Sequence, residues 1–277
     1  MTKKRVLGIS ILFLVLILFI SAQTVDNPTV FRSFFFNDEI TLFFPGVTEN
    51  KPINFTKAEV LLDQTGLENI SFSSLGENTY PINILFLVDI SKTVYKSDRE
   101  LPAEIINQFL NDPILNNRSL FGIMVFDDSD NVILYPTNNR SDGMAAANSL
   151  SFESANSNFS LAILNALYFI DKNPTGFAEK NQIILITDGS GYNDERISEK
   201  EIAEKLHSSG ISLSVLVTRN TNSGSYDPYD FNRLERLASG SGGIAVKTEK
   251  KSSALEYEKM LMDPILRTYT ITGRIPS

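Results

Sequence analysis

The chain has 277 residues, with 25 Lys+Arg against 33 Asp+Glu, one His, no Cys and no Trp. The lack of cysteine excludes thiolate zinc sites, disulfide scaffolds, thiol nucleophiles and lipid attachment through an N-terminal cysteine, and the single His207 excludes a two-His metal site. A formal net charge of −8 argues against a nucleic-acid groove, which needs a cationic face to neutralise phosphates.

The first element in chain order is an export signal. Lys3, Lys4 and Arg5 precede an apolar run over residues 6–20, and Ser21-Ala22-Gln23 follows, the layout of a signal peptide over 1–22 with cleavage after Ala22. An uncleaved N-terminal anchor is the alternative, since the run is just short of a bilayer span. Either way the remainder is expected to be exported: periplasmic, cell-surface or secreted. Without the three basic residues the balance is 22 against 33, a net charge of −11 on the working part. An exported chain without cysteine suits a bacterial envelope.

Residues 23–80 read as a small β-rich module. Short apolar or alternating runs over 30–36, 39–44, 58–62 and 69–72 are divided by turn residues such as Asn37-Asp38 and Pro45-Gly46. After Pro81 the pattern changes to continuous apolar strands (82–88, 120–126, 182–186, 211–217, 244–247) alternating with helices (101–110, 160–171, 198–209, 229–238, 254–267). Residues 131–135 are placed as an antiparallel partner strand, Ser97-x-x-Glu100 as a capping box, Gly210 as a helix stop, and 136–142 as a polar loop. Residues 81–277 are thus expected to form an α/β, doubly wound, mostly parallel sheet. Such sheets bind ligands at the carboxyl ends of their strands.

The chemistry concentrates there. The apolar strand over 82–88 runs into Asp89-Ile90-Ser91-Lys92-Thr93. A second ends in Thr187-Asp188-Gly189, and Ser157 stands at the entrance of the helix between them. Two carboxylates and three hydroxyls suit a hard divalent cation such as Mg2+, which takes oxygen ligands and keeps part of its water shell. Helix capping and turn formation are the structural alternative for each residue taken singly.

This set, with Asn158-Phe159 and Ala162-Ile163 after Ser157, resembles the metal-ion-dependent adhesion site of von Willebrand factor type A domains. The resemblance covers about 81–277, including a stretch similar to the family's Ala-x-x-x-Gly-Gly turn at Ala238 to Gly243 and a closing strand at Tyr269. It implies that Ser91, Thr93 and Ser157 supply hydroxyls to Mg2+ or Mn2+. Asp89 and Asp188 would then hold its waters, and an Asp or Glu carboxylate of a partner protein would complete the octahedron. Two departures keep the hydroxyl: the family usually has Ser where Thr93 stands and Thr where Ser157 stands, and the alignment at 157 competes with Ser160. Asp127 and Asp128 are candidate ligand-rim residues. Residues 54–60 and 70–72 look like the strand-rich extension that precedes this domain in some bacterial exported proteins.

The expected function is therefore cation-dependent protein binding, in adhesion or envelope assembly, without catalysis. Two alternatives stand beside it: a degenerate domain without metal, and a haloacid-dehalogenase-like phosphatase with Asp89 as nucleophile and Thr187 at the second strand end. The phosphatase reading fails at Ser91, because a serine hydroxyl cannot shuttle a proton near neutral pH. His207 reads as a surface residue.

Overall fold

The computed structural model describes residues 32–36, 39–45, 61–62, 65–74 and 81–274, apart from 116, 128, 155–156, 174–179, 191–196, 223, 226 and 250–251. The export segment 1–22, the strand residues 30–31 and 58–60 and the rim candidate Asp128 lie outside the described residues. Among the described residues no helix is long and apolar enough to cross a membrane.

The central sheet is built from β6 (Ile82–Asp89), β7 (Leu120–Phe126), β8 (Asp130–Thr137), β9 (Lys180–Thr187), β10 (Ser212–Val217) and β11 (Ala245–Lys247). Its order is β11-β10-β9-β6-β7-β8, parallel throughout except for β8, which runs antiparallel to β7. β6, β9 and β10 are buried along nearly their whole length, which is why their stretches 84–88, 183–186 and 215–217 are unbroken apolar runs.

Alternate side chains of β6 serve opposite layers. Leu85 and Leu87 pack in one core with residues of α3 (Phe159–Lys172), α4 (Glu199–Ser209) and α5 (Pro228–Gly240). Ile84, Phe86 and Val88 pack in the other with α1 (Leu101–Asn111), α2 (Arg140–Asn148) and α6 (Ala254–Leu266). Phe86 meets Phe109 of α1 edge to face, with ring centroids 5.4 Å apart. This is the expected doubly wound α/β fold. From β6 the chain moves outward to β7 and β8, then returns to β9 on the other side of β6, so the winding reverses between β6 and β9. The carboxyl ends of those two strands flank the crevice where such sheets take ligands.

A second sheet joins the two ends of the chain. β1 (Arg32–Phe36), β2 (Glu39–Pro45) and β5 (Glu68–Ser74) come from the N-terminal region, and β12 (Thr268–Arg274), which contains Tyr269, lies between β2 and β5 in an antiparallel order β1-β2-β12-β5. β3 (Leu61–Leu62) and β4 (Thr65–Gly66) form a small separate pair.

Two local expectations are corrected. The capping box at Ser97 does not form: Glu100 occupies the N-cap of α1 without a side-chain bond, and the Ser97 hydroxyl instead donates to Asp98. The polar loop 136–142 is interrupted by α2, whose apolar signal is weak because only Gly143 and Ala147 are buried. Gly143 is the contact point. A Cβ there would lie 2.6 Å from Phe121 and 2.7 Å from Leu110. Gly210 ends α4 in the left-handed conformation, as its position predicts.

Candidate metal centre

Asp89 is the last residue of β6 and is only 1% exposed. Its Oδ1 accepts the Ser91 N–H at 2.9 Å, which closes the turn that leads the chain away from the strand. Its Oδ2 accepts the Thr187 hydroxyl at 2.7 Å from the end of β9. The Ser157 hydroxyl lies 3.0 Å from the same Oδ2 and 3.0 Å from the Ser190 carbonyl oxygen, so one proton is shared between two acceptors.

Main-chain pairing brings the three loops together. Ser91 bridges Ser154 in parallel and the Lys92 N–H donates to the Ser154 carbonyl at 2.7 Å, which carries the segment before α3, and Ser157 with it, against the β6 loop. Asn158 then caps α3, its Oδ1 accepting the Leu161 N–H at 3.0 Å. Ser160 stands inside the helix, buried, and accepts from Arg233 at 3.0 Å. Of the two candidate serines, the structure puts Ser157 beside Asp89.

Asp188 follows directly. Its Oδ1 accepts both the N–H and the hydroxyl of Ser190, at 2.8 and 2.7 Å, and its Oδ2 accepts the Asn220 carboxamide at 2.9 Å. The Thr93 side chain stands beside this carboxylate and helps to favour its charged form. Thr93 Oγ1 and Ser91 Oγ are 2.6 Å apart, within hydrogen-bonding distance of each other. Asp89, Ser91, Thr93, Ser157 and Asp188 are thus all brought into one cluster.

Its electrostatics are unfavourable for the protein alone. Burial, and next the charge of Asp188, push the Asp89 carboxyl up to about 6. Burial raises Asp188 as well, against the opposing effect of Ser190, Thr93 and Asn220. Among the described residues, the bonds that reach these two carboxylates come from uncharged N–H and O–H groups, which lessen the repulsion without cancelling the charge.

The donor set fits a hard divalent cation. Every polar group is an oxygen, three of the five are neutral hydroxyls, and the two carboxylates need a positive charge between them. Among the described residues no three His, Cys, Asp or Glu side chains gather into a metal cage, so carboxylates alone do not make the site.

The rim candidate Asp127 sits just past β7, half-buried, and its carboxylate accepts the Ser129 N–H at 2.8 Å, closing its own loop. His207 is exposed in the last turn of α4. The sequence reading missed two members of the cluster, Ser190 and Asn220. Ser190 follows the Asp188-Gly189 turn and was in reach as a turn serine. Asn220 is 32 residues from Asp188, with no spacing that announces it.

Residues 84–190 match the family model described as the von Willebrand factor type A domain. No curated protein matches the sequence. Among solved structures, an aerotolerance-related membrane protein of Bacteroides fragilis is 18% identical, with 66% of this chain and 98% of that chain covered and a TM-score of 0.53. Manganese-loaded TRAP protein of Plasmodium vivax is 13% identical, with 75% and 82% covered and a TM-score of 0.53. Proximal thread matrix protein 1 from the mussel byssus is 15% identical, with 74% and 51% covered and the same TM-score, 0.53. At these identities the likeness is one of fold. The family match and the shared architecture together support a von Willebrand factor type A domain in this chain.

Proposed function

We propose that this chain is an exported, divalent-cation-dependent protein-binding module, acting in adhesion or envelope assembly rather than in catalysis. The observation that carries the reading is the convergence of Asp89, Ser91, Thr93, Ser157 and Asp188, from three loops, at the crevice between β6 and β9. Ser91, Thr93 and Ser157 would hold Mg2+ or Mn2+ through their hydroxyls, with Asp89 and Asp188 holding its waters. Bound there, the cation supplies an electrophilic position for one anionic oxygen from outside. The ligand is then a protein presenting an Asp or Glu carboxylate. Part of the support comes from a solved structure of the same fold that is manganese-loaded. The net charge of −11 beyond the N-terminal basic residues suits a cation-dependent contact with an acidic group, where the protein's own field would otherwise repel it.

The chain's residues position rather than react. Asp89 is held by Ser91, Ser157 and Thr187, and position 91 offers a hydroxyl where a phosphatase of the alternative class needs a proton-shuttling acid. Export rests on the basic and apolar segment over 1–22, and membrane contact would be through that segment if it is uncleaved.

Calorimetric titration with Mg2+ and Mn2+ tests the site. Binding is expected in the unaltered chain and lost in Asp89→Ala and Asp188→Ala; binding that persists in both variants would rule the site out. Capture of a protein partner with and without chelator tests the function, and capture insensitive to chelator removes the cation from it.

A further inference from the structure

The loop after β10 enters the centre although no motif names it. Asn220 is 6% exposed, and its Nδ2 donates to Asp188 Oδ2 at 2.9 Å and to Ser190 Oγ at 2.7 Å. Its Oδ1 accepts the Asn222 N–H at 2.7 Å, which fixes the orientation of the carboxamide, since a carboxylate and a backbone N–H leave only one way round. The Asn220 backbone is equally committed, donating to Ser225 and accepting from Gly224 in a tight turn.

A half-buried ion pair holds this loop in place. Arg219 donates to both oxygens of Asp98 through its guanidinium and, at 3.1 Å, through its backbone N–H, while its guanidinium carbon stands 4.6 Å from the Tyr95 ring centroid. Burial would raise the Asp98 carboxyl, yet the Arg219 hydrogen bonds and charge hold it below the usual range. Thr221 completes the clamp. Its N–H donates to the Thr93 carbonyl, and its hydroxyl reaches the carbonyls of Lys92 and Val94 at 3.2 and 3.1 Å. One loop therefore fixes both halves of the centre, the hydroxyl-bearing turn through its main chain and Asp188 through Asn220.

We infer that Asn220, held by the Arg219–Asp98 pair, is a positioning residue that sets the orientation of Asp188 and with it the cation affinity of the site. The inference rests on the cation-binding reading above. With protein donors on both of its oxygens, Asp188 is kept facing the crevice as a holder of water rather than as a direct ligand. Removing the carboxamide frees Oδ2. Replacing it with a carboxylate sets a further negative charge against Asp188, a repulsion that a bound cation relieves.

The test is Mn2+ titration by calorimetry, with thermal unfolding with and without Mn2+, on the full chain and on Asn220→Ala and Asn220→Asp. Asn220→Ala is expected to weaken Mn2+ by about ten-fold, as loss of an outer hydrogen bond to a metal-site carboxylate does. The gap between metal-loaded and metal-free unfolding midpoints should narrow in Asn220→Ala and widen in Asn220→Asp. Equal Mn2+ affinity in Asn220→Ala and the unaltered chain overturns the inference, as does an equal drop of both midpoints in both variants, the mark of a purely structural asparagine. If Asn220→Ala does not fold, Asn220→Gln, which keeps the carboxamide but displaces it, decides by the same midpoint gap: a narrowed gap supports the inference and an unchanged gap overturns it. Failure of the unaltered chain to bind Mn2+ overturns the cation reading and this inference together, a result separate from binding that ignores position 220.

Discussion

The Thr187 hydroxyl donates to Asp89 Oδ2 across 2.7 Å, although the two residues are 98 positions apart in the chain. Thr187 Oγ1 in turn accepts the Gly189 N–H at 3.0 Å, so Thr187 couples the end of β9 both to the end of β6 and to its own following turn. A single hydroxyl thus serves as the joint of the crevice. Thr187→Val keeps the shape and removes both bonds, leaving a buried N–H without its acceptor. The expected loss is about 1–3 kcal/mol in urea unfolding, with Thr187→Ser retaining most of the stability. An unchanged midpoint in Thr187→Val would show that the joint carries no load.

The buried carboxylate at 89 makes the metal-free fold sensitive to pH. Its folded value of about 6 lies above the ordinary 3.8, so its contribution is fully present below about pH 4 and is lost as the pH rises through about 6. The metal-free chain is expected to lose stability between pH 5 and pH 7.5, on the order of 1.5 kcal/mol from this group, about half of its full effect. Asp89→Asn should remove most of that decline and be the more stable protein at pH 7.5, while losing Mg2+ binding. Urea unfolding in chelator at the two pH values checks this, and parallel pH profiles for the two proteins would contradict it.

A second buried carboxyl lies at the far side of the sheet. Glu258 of α6 is 1% exposed, its Oε1 has no hydrogen-bond partner among the described residues, and burial followed by the neighbouring Asp112 beyond α1 pushes it up to about 7. The sign is the same as for Asp89: stability is lost as the pH rises through about 7, when Glu258 must ionise beside Asp112. Glu258→Met is expected to be the more stable protein at pH 8, by about 1 kcal/mol, and to differ less from the unaltered chain at pH 5.5. Thermal midpoints at those two pH values measure it. A larger benefit at the lower pH would contradict the assignment.

The turn that leads into β11 depends on absent side chains. Gly242 has φ 81°, and a Cβ on Gly243 would lie 2.0 Å from the Leu213 carbonyl oxygen on β10, a backbone atom that cannot swing aside. Gly243→Ala is therefore expected to destabilise the fold by about 3 kcal/mol or more in urea unfolding. Gly240, with nothing within 4 Å of its Cβ position among the described residues, should accept Ala with little change, and equal costs at 240 and 243 would refute the explanation.

Much of the architecture was legible because it depends on local composition. Runs such as 84–88 and 183–186 are buried on both faces and so are apolar at every position, Gly210 has the backbone freedom a helix stop needs, and Asp89 and Asp188 stand at or just past the ends of those runs. α2 was not legible, because a helix that buries only a glycine and an alanine leaves no apolar stripe. The capping box at Ser97 was misread for a related reason: Asp98, drawn to Arg219 at 121 positions' separation, takes that hydroxyl.

By itself, then, the sequence determined the alternation of strands and helices and the oxygen-only character of the candidate site, since residue type alone decides which groups are apolar and which can bind a hard cation. Tertiary structure decided the partners. Thr187 on Asp89, Asn220 on Asp188 and Arg219 on Asp98 are contacts between loops far apart in the chain, and the strand containing Tyr269 pairs with strands from the opposite end. The physical reason is that a hydrogen bond between distant residues acts over about 3 Å and exists only after the sheet order has set the strand ends side by side.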